Sequence, residues 1–402
     1  MSASPRHAGP ITVPVLATIL AALAMIGPFT IDTYLPSFPY IGADLQATPA
    51  QMQQTLSLYL GTVALMTLFH GTLSDSFGRR PVILASLALY IVTSIGCALA
   101  VTLPQLLFWR AVQGLAAGAG IIVGRAIIRD SFAGHEAQRL MSLVTMIFGI
   151  APAVAPVIGG WLQGAFGWRA VFWFLALYGV ALLIASLRRL PETHPVSARH
   201  PFHAGPLLRN YLRLGGNVRL VLLCLVVALN FAGFFLYVVS APAVIYDLLG
   251  LSEKDFAWLF VPGISGVMFG AFLSGRLAGR LTPRRTVFIG YLTMCGAAVF
   301  NLAYCALFAP ALPWTVLPVM IYSTGMALAM PSVTLIALDL FPQLRGMTSS
   351  LQGFAHSLFA GITAGLVSPL VSGSALTLAF GMTGMLLLGW LAWMLYLRMA
   401  HE

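Results

Sequence analysis

Charged residues are scarce in this chain, and acidic residues are the scarcest of them. Asp, Glu, Lys and Arg make up 8% of the 402 residues, whereas about a quarter of an ordinary soluble protein is charged. Only 11 residues are acidic, against 21 that are basic. This composition excludes an ordinary soluble domain and predicts an integral membrane protein.

Cysteines are few and phosphate-binding motifs are missing. The four cysteines, at no metal-ligand or redox spacing, are Cys97, Cys224, Cys295 and Cys305. All four fall inside apolar runs, so we expect small packing residues rather than a disulfide framework or a zinc site. The sequence contains no GxxxxGK[ST], so it has no cradle for the phosphates of ATP. We expect no metal, no cofactor and no catalytic residue, and hence not an enzyme.

Long apolar runs make up most of the sequence, which is 59% hydrophobic with a mean hydropathy of +0.92. A helix needs about 20 residues to cross a hydrocarbon core about 30 Å thick. Runs of roughly this length occupy residues 14–41, 51–73, 82–102, 104–127, 140–164, 170–188, 218–246, 256–276, 285–308, 313–337, 346–371 and 375–397. They predict an all-α membrane protein with twelve transmembrane helices.

Arginines concentrate at the ends of these runs that share one side of the membrane. Only Arg169 and Lys254 fall on the opposite side, and Arg110 lies inside a run. This positive-inside bias predicts that the arginine-rich side and both termini are cytoplasmic. The formal charge of +10 therefore reflects orientation in a membrane and gives no reason to expect a nucleic-acid partner.

The runs form two groups of six that resemble each other in sequence. Residues 189–217, rich in Pro, His and Arg, predict a cytoplasmic linker between halves at 1–188 and 218–402. Residues of the first run that recur at the same spacing in the seventh are Gly27, Pro36 and Tyr40, matched by Gly233, Pro242 and Tyr246. The turn GTLSDSFGRRP recurs as GRLAGRLTPRR, in which Gly279 replaces Asp75. Parallel repeats of this kind place a binding site between two halves, which rock against each other to expose the site to each side of the membrane in turn. Chance similarity between apolar helices is the alternative explanation for these sequence matches.

The turn after the second run, GTLSDSFGRRPV, resembles the loop signature of the major facilitator superfamily. The residues that carry the resemblance are Gly71, Asp75, Gly78, Arg79 and Arg80. Gly78 suits a tight turn, and Asp75 can pair with an arginine that follows it. An ordinary positive-inside loop would explain the arginines but not the acid between two glycines.

Two charged residues lie well inside predicted spans, away from the arginine-rich ends: Asp32 in FTIDTYLPSFP and Arg110 in FWRAVQGLAAGAG. A charge at a helix centre in lipid costs roughly 2.5 to 3.5 kcal/mol, so it usually faces a cavity or a partner. At 1.5 Å per residue, both lie roughly 9 to 12 Å below the outer face. The alternatives are a carboxylate that caps a backbone break near Pro36, and an arginine that snorkels to the headgroups.

Two further stretches resemble motifs of the same superfamily. Arg110 and Gln113 match its second motif, an arginine placed within a transmembrane helix. In the fifth run, Pro156, Gly159 and Gly160 resemble the motif that marks proton-driven exporters. A purely structural role in bending and close packing would also account for prolines and glycines in this run.

Three stretches together resemble the Bcr/CflA branch of drug:proton antiporters: IDTYLPSFP at 31–39, GRAIIRDSF at 124–132 and NFAGFFLYVVSAP at 230–242. The resemblance covers nearly the whole chain and implies the major facilitator fold, with two six-helix halves. It implies that Asp32 is the proton site, with Arg110 as its partner in coupling. It also implies a cytoplasmic gate in which the 71–82 loop acts with Arg129 and Asp130.

Several polar or amphipathic residues inside spans are candidates to line a cavity for aromatic drugs. They are Tyr34, Tyr59, Gln113, Asn230, Tyr237, Gln352 and His356. Each could instead make a hydrogen bond between helices.

From the sequence we therefore expect a bacterial inner-membrane antiporter that exports small toxic molecules in exchange for protons and works as a monomer. An alternative on the same fold is an exporter of a metabolite such as a sugar, an amino acid or a short peptide. A membrane-embedded enzyme or a receptor would need a catalytic cluster or a sizeable soluble domain, and the sequence has neither.

Overall fold

The computed structural model describes residues 13–199 and 203–400. Both chain termini, which are predicted to be cytoplasmic, lie outside the described residues. Nearly every described residue belongs to a helix, as expected where backbone amides and carbonyls have no water to bond.

The helices follow one another with short connections. Those before the linker are α1 (Val13–Asp32), α2 (Phe38–Asp44), α3 (Pro49–Thr67), α4 (His70–Phe77), α5 (Arg79–Ala98), α6 (Leu103–Ala117), α7 (Ala119–Ser131), α8 (Gly134–Phe166) and α9 (Arg169–Arg189). Those that follow are α10 (Ala204–Gly215), α11 (Val218–Val239), α12 (Ala257–Leu277), α13 (Pro283–Leu307), α14 (Leu317–Leu340), α15 (Arg345–Ile362), α16 (Ser368–Val371) and α17 (Ala375–Met399).

The described helices confirm the predicted all-α architecture and its number of spans. Eleven helical segments are long and apolar enough to cross a membrane, and the pair α3 and α4, bent by 50°, forms a twelfth. The bend interrupts the span predicted at 51–73. It arises because Leu68 and Phe69 donate their amides to carbonyls three residues back, which tightens the backbone locally.

The fifth span is longer than predicted. The apolar run covers 140–164, whereas α8 has 33 residues and a length of about 50 Å. Its first turn is polar and includes Glu136, so the helix continues past the apolar run into water.

The first and seventh spans are interrupted at equivalent positions of the two halves. A 3-10 turn, Leu35–Ser37, separates α1 from α2, and a π-helix, Ala243–Leu248, follows α11. Pro36 and Pro242 lie at these interruptions, where a residue without a backbone N–H is tolerated.

The two halves contact each other at the end of the bundle opposite the linker, here called the far end; the other end is the linker end. The Tyr246 hydroxyl donates to the Pro36 carbonyl at 2.7 Å, and the Tyr40 hydroxyl donates to Glu253 at 3.1 Å. Tyr40 and Tyr246, which are equivalent in the sequence repeat, also pack edge to face with ring centroids 6.5 Å apart. These contacts close the far end.

Two glutamines of α3 extend this closure. Gln53 Nε2 donates to the Val239 carbonyl and Gln54 Nε2 to the Gly365 carbonyl, both at 2.8 Å. Each bond leaves a glutamine of the first half attached to backbone of the second half.

The linker contains a helix that the sequence analysis did not predict. Leu207 and Leu214 of α10 are buried, and the Tyr211 hydroxyl donates to the Leu68 carbonyl at 2.9 Å. The spacing of these three residues, four and then three apart, is the signal that could have identified an amphipathic helix.

Candidate functional site

Arg110, in the middle of α6, has no exposed surface. Its Nη1 donates to Gln113 Oε1 at 2.7 Å and to the Thr30 carbonyl at 3.4 Å. Gln113 Nε2 in turn donates to Ser94 Oγ at 2.9 Å. Gln113 lies one helical turn after Arg110, so a single helix positions both groups.

Two tyrosines enclose this guanidinium. Arg110 Cζ lies 4.7 Å from the ring centroid of Tyr34 and 4.5 Å from that of Tyr59. A desolvated contact of this kind contributes about 2 kcal/mol. The hydroxyls of Tyr34 and Thr55 share a hydrogen bond of 2.9 Å, whereas the Tyr59 hydroxyl has no partner among the described residues.

The structure therefore groups three residues predicted for the substrate cavity around Arg110. Tyr34 and Gln113 have no exposed surface, and Tyr59 is 1% exposed. In this conformation they form a closed shell for the arginine instead of an open wall.

No carboxylate neutralises Arg110 in the described part of the chain. None of the ion pairs formed there includes Arg110 or Asp32. The Nε and Nη2 atoms of Arg110 also lack a hydrogen-bond acceptor among these residues. A guanidinium keeps its proton in a protein, and burying an unpaired charge is costly. Such a group is a candidate to receive an acceptor during function.

Asp32 is the last residue of α1 and is 4% exposed. Thr30, whose carbonyl accepts from Arg110, lies two residues earlier. The predicted match in depth therefore brings Arg110 against the segment that carries Asp32, although the two side chains form no ion pair. The carboxylate lies where α1 ends and the 3-10 turn begins.

The candidate cavity residues of α11 take part in hydrogen bonds between helices. Asn230 Nδ2 donates to the Tyr291 hydroxyl at 3.0 Å, and the Tyr237 hydroxyl accepts from Asn301 Nδ2 at 2.7 Å. The Tyr322 hydroxyl donates to the Asn230 carbonyl at 3.1 Å. Both candidates are at least 98% buried, and their partners on α13 and α14 were missed because one sequence does not show which helices are neighbours.

The two candidates on α15 are less constrained. Gln352 is 7% exposed and its Nε2 has no acceptor among the described residues. His356, one turn further, is half-buried and packs against Phe231 with ring centroids 3.9 Å apart. Gln352 Nε2 therefore joins the Tyr59 hydroxyl and Asn230 Oδ1 as a polar group of a predicted cavity residue that has no partner among the described residues.

The 71–82 loop, at the linker end, forms a compact charge cluster. Arg79, only 7% exposed, pairs with Asp75 and donates through Nε to Asp130 at 3.0 Å. Of the predicted gate residues, the structure thus joins Asp75, Arg79 and Asp130. Arg80 donates instead to the Leu187 carbonyl at 2.7 Å. Gly71 is linked to Arg79 through Ser74, whose Oγ donates to the Gly71 carbonyl at 2.8 Å and accepts from Arg79 Nη1 at 2.6 Å. Arg129 makes no side-chain bond to this cluster among the described residues.

A linker residue that the sequence analysis missed completes the cluster. Glu192 Oε1 accepts from the backbone amide of Arg79 at 3.0 Å and from that of His194 at 2.9 Å. A Cβ on Gly78, whose φ is +101°, would overlap the Glu192 carboxylate, so glycine is required both for this backbone and for this contact. Glu192 was missed because a single acidic residue in a basic linker forms no periodic sequence pattern that would indicate a contact.

The fifth-span motif lies at the far-end closure. A Cβ added to Gly159 would come closer than 3.0 Å to the Thr33 carbonyl oxygen, and one added to Gly160 equally close to that of Glu253. Gly159 therefore permits α8 to approach the first span within the first half, whereas Gly160 permits contact with the second half. Pro156, one turn earlier, is buried inside α8.

The chain is similar in sequence to several transporters. The family model for the Major Facilitator Superfamily matches residues 16–365. Multidrug resistance protein D of Escherichia coli strain K12 is 29% identical over 96% of this chain and 97% of its own length. The bicyclomycin resistance protein homolog of Haemophilus influenzae is 28% identical over 93% and 94%, and the uncharacterized MFS-type transporter YdgK of Bacillus subtilis 33% over 89% and 88%.

Solved structures agree with the fold. A bacterial homolog of the human lysosomal transporter Spinster, inward-facing and unoccupied, superposes with a TM-score of 0.73 at 17% identity, over 96% of this chain and 97% of that one. The human organic anion transporter MFSD10 (TETRAN) gives 0.67 at 16% identity, over 95% and 100%.

Proposed function

The chain belongs to the Major Facilitator Superfamily, and from this premise we propose that it is a proton-coupled antiporter that exports small toxic or drug-like molecules by alternating access. The names of two full-length relatives, which denote multidrug and bicyclomycin resistance, support this cargo class. In this proposal the protein acts as a monomer in the inner membrane, with the linker end and both termini in the cytoplasm. Its partners are protons, cargo and lipid.

The observation that carries the proposal is a buried acid, Asp32, on the segment whose Thr30 carbonyl accepts from the buried, permanently charged Arg110, with no ion pair between acid and arginine. Arg110 cannot release its proton, so Asp32 is the member of this pair that can alternate between charged and neutral forms. A carboxylate that is not engaged by the arginine remains available to bind either a proton or a cationic cargo. Competition between the two at one site is sufficient for exchange.

The interface between the halves supplies the conformational part of the cycle. The far end is closed by bonds from Tyr246, Tyr40 and the α3 glutamines to the opposite half. Rocking of the halves about the site would break these bonds and open the cavity to that side. The charge cluster around Arg79, at the linker end, would act as the opposing gate.

The first experiment identifies a cargo. A drug-susceptibility panel in an efflux-deficient host, with and without the protein, gives the compounds to which resistance rises. A panel in which no toxic compound is affected, while an exported metabolite accumulates outside, would refute the drug-export proposal.

The second experiment tests Asp32 with the cargo so found. We expect purified wild-type protein to release protons when the cargo binds, and Asp32→Asn to release none, because the amide has nearly the same volume but no titrating group. Asp339→Asn, an exposed acid paired with Arg345 at 2.9 Å, is the matched control and should release protons normally. Undiminished release by Asp32→Asn would assign the proton to another group.

A further inference from the structure

The turn between α12 and α13 is the second copy of the loop that carries Asp75, but its charges are arranged differently. With the last turn of α12 and the first turn of α13 it forms a segment, residues 276–285, that includes Arg276, Arg280, Arg284 and Arg285, all exposed. In the first copy Arg79 is buried against two carboxylates and Arg80 is bonded to a backbone carbonyl. In the second copy none of the four arginines forms an ion pair with a described residue.

The sequence explains this difference. No Asp or Glu occurs between Asp255 and Asp339, so α12, α13 and nearly all of α14 offer no acid to the turn. Asp339 itself pairs with Arg345. Gly279, with φ of +78°, makes the turn at the position where the first copy has its aspartate. The fold thus presents four guanidinium groups in ten residues without an internal counterion.

Next to the arginines, each of the two helices exposes apolar side chains, which are here called the wall. Phe272 of α12 is 57% exposed and Phe288 of α13 is 67% exposed. Arg276 Cζ lies 5.1 Å from the ring centroid of Phe272, so charge and wall are in direct contact. Further along α13, Leu292 is 64% exposed. In a membrane protein, such side chains face the acyl chains of lipids.

We propose that this turn is a binding site for an anionic phospholipid, with the phosphate held by the four arginines and the acyl chains against the phenylalanine wall. Guanidinium groups bind phosphate oxygens through paired N–H donors. Basic clusters that immediately flank a transmembrane helix attract anionic lipid. A free phosphate would use the arginines but not the wall, and the wall is what commits the site to a lipid.

The test compares retention of phosphatidylglycerol and phosphatidylethanolamine by the purified protein, measured by native mass spectrometry after transfer from vesicles containing both. Each arginine near a headgroup contributes roughly a fivefold preference for the anionic lipid, so Arg284→Gln with Arg285→Gln should lower the preference by about 25-fold. Replacing both by Lys should restore most of it, since the charge remains.

A matched pair of exposed arginines at the same end, Arg188 and Arg189, measures the general attraction of a basic surface. Arg188→Gln with Arg189→Gln should lower the preference much less, because this pair has no neighbouring four-arginine turn. Equal losses in the two double variants would overturn the proposal. So would displacement of phosphatidylglycerol by millimolar inorganic phosphate, which would indicate a free-anion site. Folding of each variant is checked by gel filtration and circular dichroism.

Discussion

Replacing Gly160 by alanine should open the far end of the protein. The added Cβ would lie closer than 3.0 Å to the carbonyl oxygen of Glu253, in the other half. The backbone around Glu253 must retreat to relieve this overlap, and overpacking of this kind costs about 1 to 3 kcal/mol. The cost applies only while the halves touch, so the equilibrium should shift toward the far-end-open state by roughly 5- to 150-fold.

Two other glycines of α8 provide controls. Gly159→Ala places its Cβ against Thr33 of the same half, so it should lower the thermal stability in every state without a comparable change in access. Gly149→Ala meets no atom within 4 Å and should change neither property. Comparing Gly159→Ala with Gly160→Ala thus distinguishes a loss of stability within the first half from a change at the interface between the halves.

The assay is a distance distribution between two spin labels at the far end, one on each half. Exposed positions in short connections or first turns are suitable, such as Ala50→Cys and Ala311→Cys, in a background with the four native cysteines replaced. The Gly160→Ala variant should gain a longer distance. If the folded variant keeps the wild-type distribution, or if Gly149→Ala shifts it as much, the assignment of Gly160 to the closure is refuted.

Three further predictions concern the shell, the gate and the orientation. Tyr34→Phe should lower the free energy of unfolding by about 1 kcal/mol because it loses the bond to Thr55, whereas Tyr59→Phe should be nearly neutral because its hydroxyl has no partner among the described residues. Thermal unfolding in detergent measures both variants, and equal losses of stability would contradict the hydrogen-bond assignment. Asp75→Asn should slow cargo turnover in proteoliposomes with little change in the apparent affinity for cargo, since it removes one of the two carboxylates that pair with Arg79. A large loss of affinity with normal turnover would argue against a role for Asp75 in a gate. An impermeant thiol reagent outside intact cells should label Ser252→Cys but not Val196→Cys, and the reverse result would invert the topology.

The spans were predictable because a membrane forces length and hydropathy on every helix. The proline-containing interruption after Asp32 was also visible in the sequence, since Pro36 and Pro242 recur at equivalent positions. The bend between α3 and α4 was not, because an apolar run continues through Leu68 and gives no sign that its hydrogen bonds change from four residues to three.

The site was predictable in its charges but not in its neighbours. Asp32 and Arg110 stand out because charges in spans are rare, and depth along each helix follows from counting residues. The enclosure of Arg110 by Tyr34 and Tyr59 depends on which helices are adjacent. Tyr59 and Arg110 are 51 positions apart, and nothing in a single sequence indicates that they are in contact. Glu192 was missed for the same reason.

The enclosure of Arg110 also has an electrical consequence. Within residues 13–199 and 203–400, the hydrogen bonds and ring contacts of its guanidinium all involve the first half, namely Thr30, Gln113 and the two tyrosines. In the proposed cycle this fixed positive charge moves with that half whenever the halves rock. One elementary charge that crosses 100 mV changes its energy by about 2.3 kcal/mol, so a movement through a tenth of the field would contribute about 0.2 kcal/mol. The membrane voltage should therefore bias the resting balance between the two access states even when no cargo or proton is exchanged.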